Sequence, residues 1–189
     1  MTLAPHRIKM TADQYLQLGE DPPGIRLELV DGEVTVAASP ATAHAFALSQ
    51  LFFILSQHIK AKRLGVIMSD TDHVLTPFDV RRPDLYYFTA ERLRQLTNGP
   101  IRIHPDLAIE VISPGSEKTD RVDKFTQYHD FGIPFYWIVD PQSRTAKAFK
   151  SGRRKYTATG SGKNADTVSF PPFPDLKIDL AELWWPPKP

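Results

Sequence analysis

The pattern of apolar and polar positions begins with two short β-rich runs. Residues 26–30 and 33–37 both favour strands, and the dipeptide Asp31-Gly32 lies between them. An Asp-Gly pair in that position is typical of a tight β-hairpin. Upstream, Thr11 and Gln14 stand at the spacing of a capping box, which predicts a short helix over about residues 11–19.

The next stretch has the period of an amphipathic helix that ends near residue 63. The apolar residues at this spacing are Leu48, Leu51, Phe52, Leu55 and Ile59. Ser39-Pro40 supplies a residue type favoured at the N-cap and a proline favoured in the first turn. His44 lies one turn before Leu48, on or near the apolar stripe.

Short strand-like runs follow in the middle of the chain. Residues 65–68 form one run, and we expect residues 72–76 to continue it or to pair with it. Residues 83–88 form another run. It begins with Pro83, at the start of the predicted strand, where a proline is tolerated. Thr89 is a good N-cap for a small helix that ends near residue 96.

Residues 105–140 predict a strand–helix–strand unit. Residues 105–113 form a continuous β-rich run of the kind found in buried central strands. Residues 117–131 have a helical pattern, and residues 135–139 form a second apolar strand. Two such strands joined through a helix imply a right-handed crossover. The order of elements therefore predicts an α/β domain.

The last quarter of the chain is basic and then rich in proline. Residues 141–165 contain no acidic residue, and Ser151-Gly152 predicts the turn of a β-hairpin there. The basic residues of this stretch are Arg144, Lys147, Lys150, Arg153, Arg154, Lys155 and Lys163. The tail, residues 171–189, contains Trp184 and Trp185 among other apolar residues, and we expect it to wrap back onto the domain.

Length and composition narrow the class of protein. A chain of 189 residues fits one domain, residues 1–189, with a core over about 25–170. The absence of cysteine excludes disulfides, a thiol nucleophile and cysteine-based metal sites. A net charge of +1 excludes nucleic-acid binding by bulk charge alone. We see neither a signal peptide nor an apolar run long enough to span a membrane, and expect a cytoplasmic protein.

Two acidic residues in predicted strands are the candidate chemistry. Asp84 follows a proline at a strand start, and Glu110 lies within an apolar run. A buried carboxylate is costly unless it is paired or binds a metal, and Mg²⁺ prefers hard oxygen ligands of this kind. The backbone carbonyl of Val111 could complete such a site. Asp106 shares the strand face of Glu110, and is either a further ligand or merely solvent-facing.

These residues carry a resemblance to a known superfamily. Pro83-Asp84 followed by Glu110 resembles the PD-(D/E)XK nuclease pattern. The surrounding segments, at 28–33, 105–114, 120–128 and 132–140, are similar to those of a large bacterial family described as restriction-endonuclease-like and formerly a domain of unknown function. The resemblance covers about residues 10–183. It implies an α-β-β-β-α-β core with a mixed central sheet flanked by helices, an N-terminal helix plus hairpin and a C-terminal β-hairpin.

The sequence departs from the superfamily pattern at one position. The lysine of (D/E)XK is expected two residues after the acid, where this chain has Ile112. The resemblance implies that the lysine has migrated to the following helix, as Lys124. A helical lysine at i+4 from Asp120 is also what an ordinary surface ion pair would produce.

The resemblance implies a Mg²⁺- or Mn²⁺-dependent DNA endonuclease. Asp84 and Glu110 would hold the metal, and Lys124 would orient water or stabilise charge at phosphorus. Supporting roles would fall to Glu28, His44 and Tyr128, each of which could instead be structural. The basic residues Lys147, Lys150, Arg153, Arg154 and Lys155 would contact nucleic acid, or form a solvated face. Folds of this type commonly pair, and the tail with its two tryptophans offers a surface, so we expect a homodimer.

Two other functions stay open at this point. One is a nucleic-acid-binding module that keeps the fold without cleavage, and the other is a metal-dependent phosphohydrolase of small molecules. The sequence contains no GxGxxG, P-loop, HExxH or GxSxG motif, so dinucleotide, P-loop, zinc-protease and serine-hydrolase sites lack support.

Overall fold

The computed structural model describes residues 9–37 and 40–186. Within these ranges the strands are β1 (Leu27–Val30), β2 (Glu33–Val36), β3 (Gly65–Met68), β4 (His73–Thr76), β5 (Asp79–Arg81), β6 (Leu85–Thr89), β7 (Leu107–Val111), β8 (Phe135–Asp140), β9 (Thr145–Ser151), β10 (Tyr156–Lys163), β11 (Thr167–Val168) and β12 (Ile178–Asp179). The helices are α1 (Ala12–Leu16), α2 (Thr42–Lys62), α3 (Ala90–Leu93) and α4 (Lys124–Asp130), with a π-helical turn (Thr119–Asp123) before α4 and a 3₁₀ turn (Leu180–Leu183) near the end.

The strands form a large mixed sheet and two smaller ones. The six-stranded sheet has the order β10-β9-β8-β7-β6-β3. Its central pair, β7 and β8, is parallel, and all its other neighbours are antiparallel. A four-stranded sheet has the order β2-β1-β5-β4, and β11 pairs with β12. The predicted α/β class with a mixed central sheet is therefore confirmed.

The two local signals near the N-terminus formed as predicted. Asp31 and Gly32 have φ angles of 49° and 77°, and Val30 pairs with Glu33 across them. Positive φ at both central residues is the feature of a type I′ turn, whose twist matches that of the flanking strands. The capping box between Thr11 and Gln14 is present in both directions at the start of α1.

The strand–helix–strand unit is also confirmed, with one irregularity. All five residues of β7 are buried, and the connection to β8 contains a π-helical turn followed by α4. Turns with i to i+5 hydrogen bonds are rare and occur frequently at functional sites. Here the turn directs Asp120 and Lys124 inward, so that both are buried.

The core lies on both faces of the large sheet. On one face α2 packs through its buried stripe, which is Ala47, Leu51, Leu55 and Ile59. On the other face α4 packs through Tyr128 against Tyr136 of β8. The C-terminal segment returns to the α2 side and buries Phe173, Leu183 and Trp184 in the same core. The expectation that this segment wraps back is confirmed for the residues described.

One predicted strand pairing is wrong. Residues 73–76 do not continue or pair with residues 65–68; β4 pairs with β5 in the small sheet, and β3 pairs with β6 in the large one. Asp70 lies between them in the left-handed region, with φ of 54°, and breaks the extended chain there. β5 then forms a local hairpin with β4 that the sequence pattern did not predict.

The predicted start of α2 is also wrong. The helix begins at Thr42, and its N-cap is Ala41, which has extended backbone angles and no side-chain cap. Pro40 precedes the helix instead of standing in its first turn. Ser39, the predicted N-cap, lies outside the described residues. Within those residues no helix, α2 included, has the length and apolar character needed to cross a membrane.

The two tryptophans of the tail differ in environment. Trp184 is buried within the chain, and its indole N–H donates to the carbonyl of Asn164. Trp185 is 47% exposed and packs edge-on against Phe46. Of the two tryptophans, only Trp185 is exposed. The apolar surface on which the homodimer was predicted is therefore smaller than the sequence indicated, and the homodimer stays a prediction.

Candidate functional site

A cavity of about 560 Å³ opens where β7 ends. Its walls are the β1–β2 hairpin, the first turns of α2 and the π-helical turn with the start of α4. The chain places these elements together because β7 runs into the tight Pro114-Gly115 turn, and the following helix crosses back over the sheet. The carboxyl end of a central strand is a common position for a site in α/β folds.

The described lining of this cavity is rich in acidic residues. Three cations face six carboxylates, so the cavity has a formal excess of three negative charges before any ligand binds. The cations are Arg26, Arg81 and Lys124, and the acids are Glu28, Asp70, Asp84, Glu110, Asp120 and Asp123. Such an excess in a partly desolvated space favours a bound cation.

Lys124 lies at the centre of the acidic group. Its Nζ is 2.9 Å from Glu110 Oε2, 3.4 Å from Asp120 Oδ1 and 3.7 Å from Glu28 Oε1. Burial alone would lower the pKa of this ammonium, but the carboxylates of Glu110, Glu28 and Asp120 outweigh burial and raise the pKa. Lys124 is therefore an inward-facing cation and not the exposed half of a surface pair.

Glu110 is 1% exposed and contacts two hydrogen-bond donors. Lys124 approaches Oε2, and the hydroxyl of Tyr128 donates to Oε1 at 2.7 Å. Burial raises the pKa of Glu110 well above its ordinary value; Lys124 opposes the rise, and the nearby Asp84 adds to it. The raised pKa means that nearby positive charge does not fully compensate the ionised form of Glu110 for its burial, even with Lys124 beside it.

Asp84 is fixed on one oxygen and open on the other. Its Oδ2 accepts a hydrogen bond of 2.8 Å from the backbone N–H of Val111. Among the residues that the structure describes, its Oδ1 has longer contacts, 3.5 Å to Arg26 and 3.7 Å to His44 Nε2. The bond to Val111 ties Asp84 to the end of β7, beside Glu110.

His44 is held on its Nδ1 side. This nitrogen lies 2.7 Å from the carbonyl oxygen of Val111 and 2.9 Å from Ser113 Oγ. A carbonyl only accepts, so Nδ1 carries a hydrogen and Nε2 is the nitrogen that faces Asp84. His44 thus supports the backbone of Val111 and borders the cavity.

Glu28 and Tyr128 reach the same cluster. Glu28 accepts from Arg81 at 2.9 Å and from the backbone N–H of Arg82 at 3.0 Å. Burial would raise the pKa of Glu28, but Lys124 and Arg81 lower it below its ordinary value. Glu28 is therefore an ionised partner of Lys124 and Arg81, whereas Tyr128 contacts the site through Glu110 alone.

Asp106, the predicted further ligand, does not belong to this cluster. It precedes β7 at the opposite end from Glu110, and its carboxylate receives Arg92 Nε and the backbone N–H of Thr89, both at 2.8 Å. The even offset put Asp106 on the expected face, but four residues along a strand separate two groups by about 13 Å.

The basic hairpin also lies mostly away from the cavity. Strand register puts Lys150 opposite Phe135, which pairs with the first residue of β7. The turn with Arg153, Arg154 and Lys155 follows beyond that end of the sheet. Lys147 alone aligns with Glu110, through Ile138, two strands away. The sequence could not reveal this, because it does not say which end of a hairpin faces the site.

Several cavity residues escaped the sequence reasoning. Asp120 belongs to the segment 120–128 that resembles the family and was assigned no role in the site, yet its Oδ2 accepts from Ser116 Oγ at 2.6 Å inside the cavity. Arg26 and Arg81 stand beside ordinary strand residues, with no spacing that marks them as functional. Only the pairing of β1 with β5 brings both to the cavity.

The residues of the site fit a hydrated divalent cation better than a fully caged one. Among residues 9–37 and 40–186, no group of three or more His, Asp or Glu side chains is arranged to hold a metal. Asp84 Oδ1 and the Glu110 carboxylate are hard oxygen donors in an acidic cavity. Mg²⁺ is commonly held by one or two carboxylates while it keeps several waters.

Comparisons with known proteins identify similar chains. The family model Uma2, described as "Putative restriction endonuclease", matches residues 12–181. A crystal structure described as a putative nuclease belonging to DUF820 from Anabaena variabilis ATCC 29413 superposes with a TM-score of 0.75 and 21% sequence identity. The match covers 92% of this chain and 97% of that one, which supports the fold. No curated protein matches the chain.

Proposed function

Because this chain belongs to the Uma2 family, described as putative restriction endonucleases, we propose that its acidic cavity hydrolyses phosphodiester bonds in DNA with the help of Mg²⁺ or Mn²⁺. The observation that carries the proposal is the contact of 2.9 Å between Lys124 Nζ and Glu110 Oε2, beside Asp84. A buried lysine, an acid within β7 and an acid directly before β6 would supply the three groups of a metal-dependent nuclease, even though the lysine comes from the next helix.

Asp84 and Glu110 are the residues that would hold the cation. When bound, the cation would polarise the phosphate and lower the pKa of a coordinated water. Asp84 offers Oδ1, because Oδ2 is committed to Val111. Glu110 offers Oε2, the oxygen that contacts Lys124. A bound cation and the Lys124 ammonium would therefore share the negative charge of this carboxylate.

Lys124 supplies the positive charge on the protein side. Its ammonium is held by Asp120 and Glu28 as well as by Glu110, so it would remain in the cavity if Glu110 turned toward a cation. A fixed ammonium beside the reacting phosphate would stabilise the negative charge that develops there, or orient the attacking water. Lys124 is the candidate catalytic cation, with Asp120 and Glu28 as positioning residues.

Tyr128 and His44 would act as supports. Tyr128 donates to Glu110 Oε1 and limits its rotation, and His44 holds the carbonyl of Val111. Preorganised groups of this kind avoid a reorganisation cost at the moment of reaction. Neither role requires contact between the side chain and the substrate.

Hydrolysis of small phosphodiesters is a second candidate, favoured by a specific observation. The basic turn with Arg153, Arg154 and Lys155 is remote from the cavity, whose own lining is acidic. A long polyanion would gain less from this surface than from a basic cleft. A small diester would need only the groups of the cavity itself.

The test is cleavage of supercoiled plasmid DNA, of oligonucleotides and of bis(p-nitrophenyl) phosphate, each with Mg²⁺, with Mn²⁺ and with EDTA. We expect metal-dependent nicking that falls by at least about 100-fold in Asp84→Asn, Glu110→Gln and Lys124→Met, since each removes a principal charge. Lys118→Met is the matched control, because Lys118 is exposed on the same connection.

The possible outcomes separate the candidates. Activity that survives both Asp84→Asn and Glu110→Gln would contradict the proposed site. Turnover of the small diester without nicking would favour the second candidate. Tight DNA binding with no turnover in any metal would favour a binding module that has kept the fold and lost the chemistry.

A further inference from the structure

Arg26 is the cation of the cavity that is not fully engaged by protein groups. Among the described residues, Lys124 contacts three carboxylates. Arg81 donates to Glu28 and to Gln127 and is 3% exposed. Both are therefore committed to holding the site together, and neither has a free face to offer a ligand.

The guanidinium of Arg26 has donors to spare. Nη2 donates to the carbonyl of Arg82 at 2.8 Å and lies 3.8 Å from Asp70 Oδ1, which is exposed, whereas Nη1 reaches Asp84 only at 3.5 Å. Nε is buried and has no hydrogen-bond partner among residues 9–37 and 40–186. A guanidinium carries five N–H donors, so the described residues leave this side chain incompletely satisfied.

Arg26 is nevertheless well anchored and correctly placed. Its carbonyl accepts from the N–H of Ala37, which holds the backbone in the β1–β2 hairpin. Its side chain is 31% exposed and lines the cavity next to Asp84 Oδ1, one of the two oxygens proposed to hold a cation. Any phosphate that reaches Asp84 through a cation would lie beside this guanidinium.

We propose that Arg26 binds a non-bridging oxygen of the scissile phosphodiester and so selects an anionic phosphate in an otherwise acidic cavity. This inference rests on the proposed function. A planar guanidinium matches phosphate geometry in two-point contact, which an ammonium cannot reproduce. The long contact between Nη1 and Asp84 would open when the substrate arrives, and the carbonyl of Arg82 would keep the fork oriented.

The experiment measures binding and turnover of a fluorescein-labelled oligonucleotide by the full chain. Binding is measured in EDTA, where the proposed reaction cannot proceed, with a phosphodiester and with a methylphosphonate version that lacks the anionic oxygen. The variants are Arg26→Gln, which removes the charge, and Arg26→Lys, which keeps it without the fork. Arg92→Gln is the matched control, because Arg92 is 26% exposed and pairs with one acid, Asp106, away from the cavity.

We expect Arg26→Gln to weaken phosphodiester binding about 10- to 100-fold, the range of one charge-assisted contact. Arg26→Lys should fall between Arg26→Gln and the wild type, and methylphosphonate binding should be insensitive to either change. In turnover, the same variants should raise KM more than they lower kcat. Arg92→Gln should match the wild type within about twofold.

Two results would overturn the assignment of Arg26. The first concerns Arg26 alone, and the second concerns the proposed function as well. If the wild type cleaves phosphodiesters and both Arg26 variants bind the phosphodiester within twofold of it, only the role of Arg26 fails. If the wild type neither binds nor cleaves any phosphodiester, the proposed function fails together with it. Should Arg26→Gln not fold, as judged by circular dichroism, the comparison of Arg26→Lys with the wild type on the two oligonucleotides decides.

Discussion

His73 is completely buried against the rings of Tyr86 and Phe88, and neither of its ring nitrogens has a hydrogen-bond partner in the described part of the chain. Burial lowers the pKa of His73 from 6.5 to about 3. The neutral imidazole thus packs as an aromatic ring here, and burial disfavours its charged form in the folded state. This histidine stands in β4, away from the candidate site, so its effect on stability can be separated from catalysis.

We predict that stability falls on acidification because of this side chain. The folded pKa lies below the unfolded one, so the unfolded chain binds the proton first, and stability is lost as pH falls from about 6.5 toward 3. The loss should approach about 1.4 kcal/mol per pH unit in this range. His73→Phe should remove that part of the slope and be neutral or stabilising at pH 7.

Urea unfolding at a series of pH values checks this prediction. His129→Gln serves as the control, because His129 is half-buried beside Asp130 and has a pKa raised by that hydrogen bond. This control should keep the loss of stability on acidification. An unchanged slope in His73→Phe would contradict the assignment.

The strand that follows Asp84 packs closely against its neighbour β3. Asp84 stands directly before β6, and β6 pairs with β3 through Gly65 and Thr89. Gly65 has a φ of 144°, and a Cβ built on it would lie 2.0 Å from the carbonyl oxygen of Phe88. Only glycine allows β3 to approach the end of β6 this closely.

We predict that Gly65→Ala costs about 3 kcal/mol or more, since both the backbone angle and the contact with backbone atoms resist the new methyl group. Gly99→Ala, where a Cβ meets nothing within 4 Å, should stay within about 0.5 kcal/mol of the wild type. Chemical unfolding of the two variants measures the difference. Equal stabilities would mean that β3 adjusts easily and does not constrain β6.

The C-terminal segment joins the distant parts of the chain into one core. Trp184 lies among the residues that α2 and the large sheet bury, and Trp137 Nε1 donates to the carbonyl of Pro171 at 2.7 Å. The segment therefore covers a face of the sheet that would otherwise be exposed. It is part of the fold and not an appendage.

We predict that Trp184→Ala destabilises the protein by about 3–5 kcal/mol, the range for truncating a buried aromatic residue. Trp185→Ala should cost less than about 1 kcal/mol, because Trp185 is half-exposed. Thermal unfolding compares the two variants. Similar losses in both would contradict the assignment of Trp184 to the core.

Trp185→Ala also addresses the proposed homodimer. Trp185 packs against Phe46, and the nearby helix α2 exposes Phe53. If two copies associate through this apolar surface, the variant should shift the mass measured by light scattering toward the monomer. A wild type that is monomeric at high concentration would end the proposal.

The residues that local rules govern were predictable from the sequence. The Asp31-Gly32 turn, the capping box at Thr11 and the cap of α3 at Thr89 each depend on neighbours within a few positions. The buried strands β7 and β8 were equally predictable, because each is a short apolar run rich in β-branched or aromatic residues and is bounded by proline or glycine. Glu110 stood out for the same reason, since an acid in such a run needs a partner.

Only the tertiary structure decided which charges meet. Lys124 could have faced solvent beside Asp120, and the π-helical turn directs both inward to Glu110 and Glu28. Asp106 has the strand spacing expected of a further ligand, yet it pairs with Arg92 at the end of β7 opposite to Glu110. The turn of the basic hairpin lies beyond that same end of the sheet, away from the cavity. The chain determines its elements through contacts between near neighbours, whereas the cavity depends on the ends of elements that are far apart in sequence. Those long-range contacts form only when the sheet is assembled.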